Sequence, residues 1–300
     1  MINCGHIISA HLFSSKPMHD FWKPFLAIAP DRSRRFQITP RQWRQSLLAL
    51  GLTTAVWVGV WTPRLVQAAS PESAPGPLKT LLTQIDAAAN GQKLQDVLQF
   101  YSPSFSSADG ITRQTLEQAL TQLWQRYPNI RYQTEIKSWK PEGRGFSVET
   151  ITSITGTQKE GDREWQLLAT IESRQQIENQ KIVRQEILSE RSQIASGKNP
   201  PTVKINLPER VKPGQEFAFD AIVQEPLGND ILLGTAIEES VRPDGFLKPT
   251  TANLEVLPAG GLFKVARAPK QPENRWLSAV VVRQDGITMI TQRLKVTASN

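Results

Sequence analysis

Long runs of period-two alternation occupy the middle of the chain and restrict it to a broad antiparallel sheet. Tyr132, Thr134 and Ile136 share one face of a first stretch, and Phe146, Val148, Thr150, Thr152 and Ile154 share one face of a second. Trp165, Leu167, Ala169 and Ile171 repeat the pattern in a third, and a fourth runs from about Lys181 to Ile194. Turn-forming groups separate them: Pro141-Glu142-Gly143, Glu160-Gly161-Asp162 and the neighbourhood of Asn179-Gln180. Side chains alternate across a strand, so each stretch has an apolar and a polar face. Strands this long and polar on one side predict a curved sheet covered on one face. A helix over 174–195 fits less well, because the pairs Ile182/Val183 and Ile187/Leu188 stand five apart.

What covers the sheet precedes it. Leu78, Leu81, Leu82 and Ile85 fall at i, i+3, i+4 and i+7, one face of a helix that Asn90-Gly91 ends. Leu94, Val97, Leu98 and Tyr101 repeat the spacing in a shorter helix, which Ser102-Pro103 terminates. A third carries Leu116, Ala119, Leu120 and Leu123, with Trp124 and Tyr127 beside them, capped by Thr112 and stopped by Pro128.

Helix, helix, Phe100-Tyr101-Ser102-Pro103-Ser104-Phe105, a third helix ending in Leu123-Trp124, then long strands resembles the NTF2-like (SnoaL/ketosteroid isomerase-like) superfamily. The resemblance covers roughly residues 78–195 and implies a cone, with the sheet wrapped around the helices and enclosing a pocket. It also implies isomerase or dehydratase relatives that use a pocket carboxylate with a tyrosine, and relatives that pair through their sheets.

Asn199-Pro200-Pro201 marks a boundary, after which short apolar runs recur between Pro/Gly turns. Strands are expected at Val203–Leu207, Glu216–Gln224, Ile231–Glu238, Leu254–Leu257, Leu262–Ala266, Trp276–Arg283 and Ile287–Val296, with Asp285-Gly286 as a hairpin turn. That spacing argues for a β-sandwich. The segment from Leu207 to Phe217 resembles the opening of bacterial immunoglobulin-like modules, with Trp276 packed without an inter-sheet disulfide. The expected fold class is therefore an α+β NTF2-like cone plus an all-β immunoglobulin-like sandwich, preceded by a signal segment. The divisions are residues 1–68 (extension and signal peptide), 69–77 (linker), 78–196 and 200–298.

The signal reading rests on residue order. A basic stretch with Arg32, Arg34, Arg35, Arg41 and Arg44 precedes the uncharged run Ser46–Trp61, and Val66-Gln67-Ala68 then suits a signal peptidase cutting before Ala69. In Ser33-Arg34-Arg35-Phe36 the aromatic stands one position early for the twin-arginine pattern, which favours the general secretory route. The run is shorter than the ~20 residues of a usual membrane span, yet residues 46–61 could remain as an uncleaved anchor. Export to a periplasm or equivalent compartment is the expectation.

Charge and reactive side chains follow the same division. Residues 1–68 hold eight of the 35 basic residues and two of the 28 acidic ones, leaving 27 and 26 beyond. Of the net charge of +7, +6 belongs to the leader and +1 to the remainder, which offers no net cationic pull on nucleic acid. Cys4, His6, His11 and His19 are the only Cys and His residues, so a chain starting at Ala69 has neither type. Thiol nucleophiles, Ser-His-Asp triads and Cys/His zinc sites are excluded for it.

Carboxylates, hydroxyls and aromatics remain. Glu135, Glu149 and Glu172 are the strand acids open to a carboxylate-and-tyrosine enzyme, but their positions alternate with the apolar set and put them on the opposite face. Gly228-Asn229-Asp230 and Pro243-Asp244-Gly245 are turns without calcium-ligand spacing. Tyr101, Trp124 and Trp165 are the ligand-pocket candidates among the aromatics, unless they form the core between helices and sheet. These readings favour a non-catalytic binding or interaction protein of the cell envelope, its partner a small apolar ligand or an envelope protein, without cofactor, metal or nucleic acid. It could form a homodimer, and membrane contact would be only through an uncleaved signal segment. The alternatives are an NTF2-like isomerase or hydrolase-type enzyme and a purely structural envelope component.

Overall fold

The computed structural model describes residues 68–228, 230–246, 253–257 and 260–298. The apolar run 46–61 and the arginine-rich stretch before it lie outside the described residues. Helix α1 (Gly76–Asn90) starts on Pro75-Gly76-Pro77, where a proline costs no hydrogen bond, and buries Leu78, Leu81, Leu82 and Ile85. Helix α2 (Leu94–Gln99) is shorter than expected, because the chain turns extended at Tyr101 and enters β1 (Tyr101–Ser107). Tyr101 thus sits on a strand. Pro103 falls in the irregular stretch between the pairs Tyr101↔Ile182 and Ser106↔Arg184, where it interrupts no ladder. Helix α3 (Arg113–Arg126) starts as expected, with the Thr112 hydroxyl accepting from the Thr115 amide at 3.2 Å.

Four strands follow: β2 (Arg131–Glu142), β3 (Gly145–Glu160), β4 (Arg163–Glu178) and β5 (Lys181–Gly197), joined as antiparallel hairpins. The β4–β5 turn places Asn179 and Gln180 at φ 49° and 59°, the left-handed pair a tight hairpin needs. Ala69 is not in a free linker: its amide donates to the Trp139 carbonyl at 2.8 Å, on the outer edge of β2.

The second half comprises β6 (Val203–Asn206), β7 (Arg210–Val211), β8 (Glu216–Val223), β9 (Leu233–Ser240), β10 (Glu255–Val256), β11 (Gly261–Arg267), β12 (Glu273–Arg283) and β13 (Gly286–Val296). The fold class expected from the sequence is overturned here. A separate cone and a separate sandwich would each close their own sheet. Instead β13 pairs with β5, from Gly286↔Gly197 to Gln292↔Arg191, and a ten-stranded sheet runs in the order β10-β9-β12-β13-β5-β4-β3-β2. β1 and β7 attach beside this path, and β11-β8-β6 form a small second sheet. The described chain is mostly antiparallel strand, its α-helix confined to three segments. A sheet this large facing a smaller one fits a sandwich, but a sandwich that shares its main layer with the helical half.

Two cores result, one on each face. α1–α3 and the inner faces of β2–β5 make the first, which continues onto β12 and β13 through Trp276, Val280, Ile287 and Met289. The alternate residues Leu277, Ala279, Val281, Ile290 and Leu294 face the other way, into a second core with Phe217, Phe219 and Leu262 of the small sheet. Trp276, expected inside the sandwich, belongs to the helical core. Among the described residues no helix is long and apolar enough to cross a membrane.

The halves are also joined by charge. The Arg293 guanidinium on β13 donates to Glu190 of β5 at 2.9 and 3.1 Å and to Asp109, in the turn after β1, at 3.0 Å. These side chains are 1%, 4% and 3% exposed. Trp276 Nε1 donates to Glu190 at 3.0 Å, and Asn274 to Asp109 at 2.9 Å. Burial by itself would lower the Arg293 pKa, but the two carboxylates outweigh it and hold it above the ordinary value. Arg293→Met would leave both acids buried without their cation, and should cost about 3–5 kcal/mol. Adding Glu190→Met should recover part of that loss, as read from urea denaturation midpoints; equal loss in both variants would refute an uncompensated Glu190 as its cause, and no loss in Arg293→Met would show the cluster to be energetically idle.

Candidate functional site

The two sheet edges meeting β5 leave a gap. β1 pairs in parallel with the start of β5, at Ile182, Arg184 and Gln185, while β13 takes the same edge only from Arg191 onward. At residues 186–190 the two neighbours diverge, and a cleft of about 630 Å³ opens at this fork. Its walls are Ala108–Gly110 after β1, Glu186 of β5, Arg210 of β7, Val241–Pro243, Glu273 and Asn274 at the start of β12, and Lys295 at the end of β13. Asp109 reaches its floor as part of the cluster with Arg293.

Local structure fixes these groups. The Ser107 hydroxyl accepts from the amides of Asp109 and Ile111, and Gly110 turns the chain at φ 80°. A side chain at Gly110 would press on Pro243, 3.2 Å from the ideal Cβ position, so the two walls touch there. Lys295, with 13% of its side chain exposed, bonds Glu186 at 3.2 Å, and Glu186 also receives Arg174 at 3.3 Å. Burial pushes the Lys295 ammonium below its ordinary range; Glu186 opposes that, and the charges of Arg293 and Arg210 add to it. Arg242 is only 3.9 Å from Glu273, which Arg275 also approaches at 3.4 Å.

The aromatic residues singled out from the sequence lie elsewhere, all in the helical core. Tyr101 is 1% exposed and packs edge-on to Phe105, with ring centroids 4.9 Å apart. Trp124 is buried and donates to the Tyr132 hydroxyl at 2.9 Å. Trp165 is buried on β4, its Nε1 without an acceptor among the described residues. Tyr101 pairs with Ile182 and Trp165 with Ser196, at opposite ends of β5. At about 3.3 Å per residue these positions are too far apart to line one small pocket together. A smaller recess of about 190 Å³ lies at the start of α1, among Leu78, Leu81, Arg144, Phe146 and Ile177.

The strand acids stand on the outer face. Glu149 bonds Arg174 at 2.7 Å, Glu172 bonds Lys137 at 2.9 Å, and Glu135 accepts from Gln133. Burial would raise Glu149, but its bonds to Arg174 hold it below the usual carboxylate range. Among the described residues no three His, Cys, Asp or Glu side chains gather as a metal site. Sequence reasoning missed Asp109, Glu190, Arg210, Arg293 and Lys295. The available signal was Arg293 and Lys295 on one face of a strand that is apolar on both.

A family model described as a domain of unknown function (DUF8623) matches residues 198–297. No curated protein matches the chain. Among solved structures, it is similar to Bdellovibrio bacteriovorus Bd1075, with 16% identity and a TM-score of 0.28, over 37% of this chain and 39% of that one. It is also similar to a putative scytalone dehydratase from Novosphingobium aromaticivorans, with 8% identity and a TM-score of 0.32, over 37% and 80% of the two chains. A hypothetical protein with a ketosteroid isomerase-like fold from Catenulispora acidiphila, in complex with trimethylamine, shows 13% identity and a TM-score of 0.27, over 40% and 85%. These last two are scytalone dehydratase-like and ketosteroid isomerase-like, that is NTF2-like, folds. The chain spans well under half the length of the Bdellovibrio protein.

One core residue gives a titration test. Tyr127, fully buried after α3 against Gly156, has its phenol pushed up to about 12 by burial; Glu160 adds to the shift and Arg126 opposes it. Its folded pKa lies above the ordinary 10.0, so its contribution is complete below pH 10.0 and is lost as pH rises towards 12. The full loss is about 2–3 kcal/mol. Urea midpoints measured across that range should fall by this component in the native chain and not in Tyr127→Phe; parallel curves would refute the assignment.

Proposed function

We propose that this chain is an exported, non-catalytic binding protein of the bacterial cell envelope, and that it takes its partner in the cleft at the β1–β5–β13 fork. The observation that carries the reading is an open cavity of about 630 Å³, lined by polar and apolar surface in similar measure, whose floor is fixed by an arginine between two carboxylates. Such a size suits a small ligand or a protruding segment of a protein partner. Carboxylates locked to guanidinium groups are poor proton acceptors but good fixed charges. Glu135, Glu149 and Glu172, the acids a carboxylate-and-tyrosine enzyme would draw on, are committed on the other face. Tyr101, Trp124 and Trp165 serve this reading as the core that holds the sheet in shape. Export is supported by the basic, apolar and small-residue order of residues 32–68.

Two measurements test this. Protein recovered from the envelope fraction of its source cell should begin at Ala69; an intact leader on soluble cytosolic protein would refute export. A photo-crosslinking residue at Arg242, on the cleft rim, should give a discrete adduct in the cell, and one at the exposed Leu168 on the outer sheet face should give none. Equal labelling, or none at Arg242, would overturn the cleft as the binding site.

A further inference from the structure

Lys295 and Arg210 are direct partners in the parallel β7–β13 pairing, so two cations stand opposite each other on one face. Like charges in that position destabilise a sheet. The acids nearby are shared rather than free: Glu186 pairs with Lys295 at 3.2 Å but also with Arg174 at 3.3 Å, Glu273 serves Arg275, and Asp109 serves Arg293. Among the described residues Arg210 makes no ion pair, and Arg242 lines the same cavity with only its long contact to Glu273.

We propose that the cleft is an oxyanion site in which Arg210 and Lys295 together grip a phosphate or carboxylate group. This rests on the cleft being the binding site. An oxyanion between the two cations accepts hydrogen bonds from both and removes their repulsion, and a guanidinium offers it the two-pronged geometry that favours such groups. Burial depresses the Lys295 ammonium despite its bond to Glu186, and the charge of Arg210 adds to the shift. The cavity is far larger than one bare oxyanion, so the anionic group is one end of a larger molecule whose body lies towards Arg242 and Pro243.

The experiment is thermal unfolding and calorimetric titration of the full chain at constant ionic strength, with chloride exchanged for inorganic phosphate or phenyl phosphate. Phosphate should raise the melting temperature by about 4 °C near saturation, equally in the native chain and in Lys137→Gln, a control on the outer sheet face. The rise should fall by at least half in Arg210→Gln and in Lys295→Met. Without phosphate, Arg210→Gln should melt no lower than the native chain, since it relieves a repulsion; this separates a lost site from a lost fold. Phenyl phosphate binding at least tenfold more tightly than inorganic phosphate would assign the site to an anion with a body, and equal binding would assign it to the free ion. No phosphate-specific rise, or a rise unchanged in Arg210→Gln, overturns the oxyanion site. If that happens while the Arg242 adduct still forms, the binding cleft stands and only its chemistry is wrong; if the adduct is absent, both fall.

Discussion

The buried contact of Arg293 with Glu190 and Asp109 is the constraint around which the two halves are arranged. A guanidinium with 1% of its side chain exposed stays charged, and burying it without partners would cost far more than the fold could bear. Those partners come from the helical half, one from the middle of β5 and one from the turn after β1. The β5–β13 ladder and the position of the Asp109 turn must therefore be correct together. Trp276 adds an apolar roof and one more donor to Glu190. A cluster of this kind contributes little net stability compared with an apolar replacement, but it penalises every arrangement in which one member is displaced.

The same cluster explains why a cleft persists at the fork. β5 has one edge available beside β4, and β1 and β13 divide it between them. Where neither neighbour reaches, the sheet could close by collapse, but the polar floor prevents that. Asn274 and Trp276 give Asp109 and Glu190, respectively, one hydrogen bond each, but only Arg293 between them supplies a balancing charge. The opening is thus a by-product of satisfying buried charge, and its walls inherit side chains from six separate stretches of chain.

Much of the fold was legible in local pattern. The alternations from Tyr132 to Ile194 gave four strands and their turns, and the spacing Leu78, Leu81, Leu82, Ile85 gave the first helix. Tyr101 misled because its spacing from Leu98 suits a helix as well as a strand beginning, and only the parallel pairing with β5 decides between them. The larger error, giving the two halves separate main sheets where they share one, came from treating Asn199-Pro200-Pro201 as a break in packing. It ends β5 but does not interrupt the pairing of β5 with β13, and Asn199 and Pro201 themselves bond Asp285 and Thr288. β13 carried the clue, since Ile287 and Met289 on one face and Ile290 and Leu294 on the other require cover on both sides. The cleft residues could not be found this way, because the pairing of Arg210 with Lys295 joins positions 85 residues apart through two short bridges.

Sharing one sheet between two cores also governs what happens when the chain is opened at its middle. The connection after Gly197 is short, and Gly286 lies so close to Pro200 that a Cβ there would stand 2.4 Å from the proline backbone. A cut in that connection would separate two strand edges that match over seven residue pairs, each bare and each half apolar. The pieces would be sticky fragments rather than modules. Two copies of the chain would have the same option, lending β13 of one to β5 of the other, and the tight passage at Gly286 is the feature that keeps each strand at home.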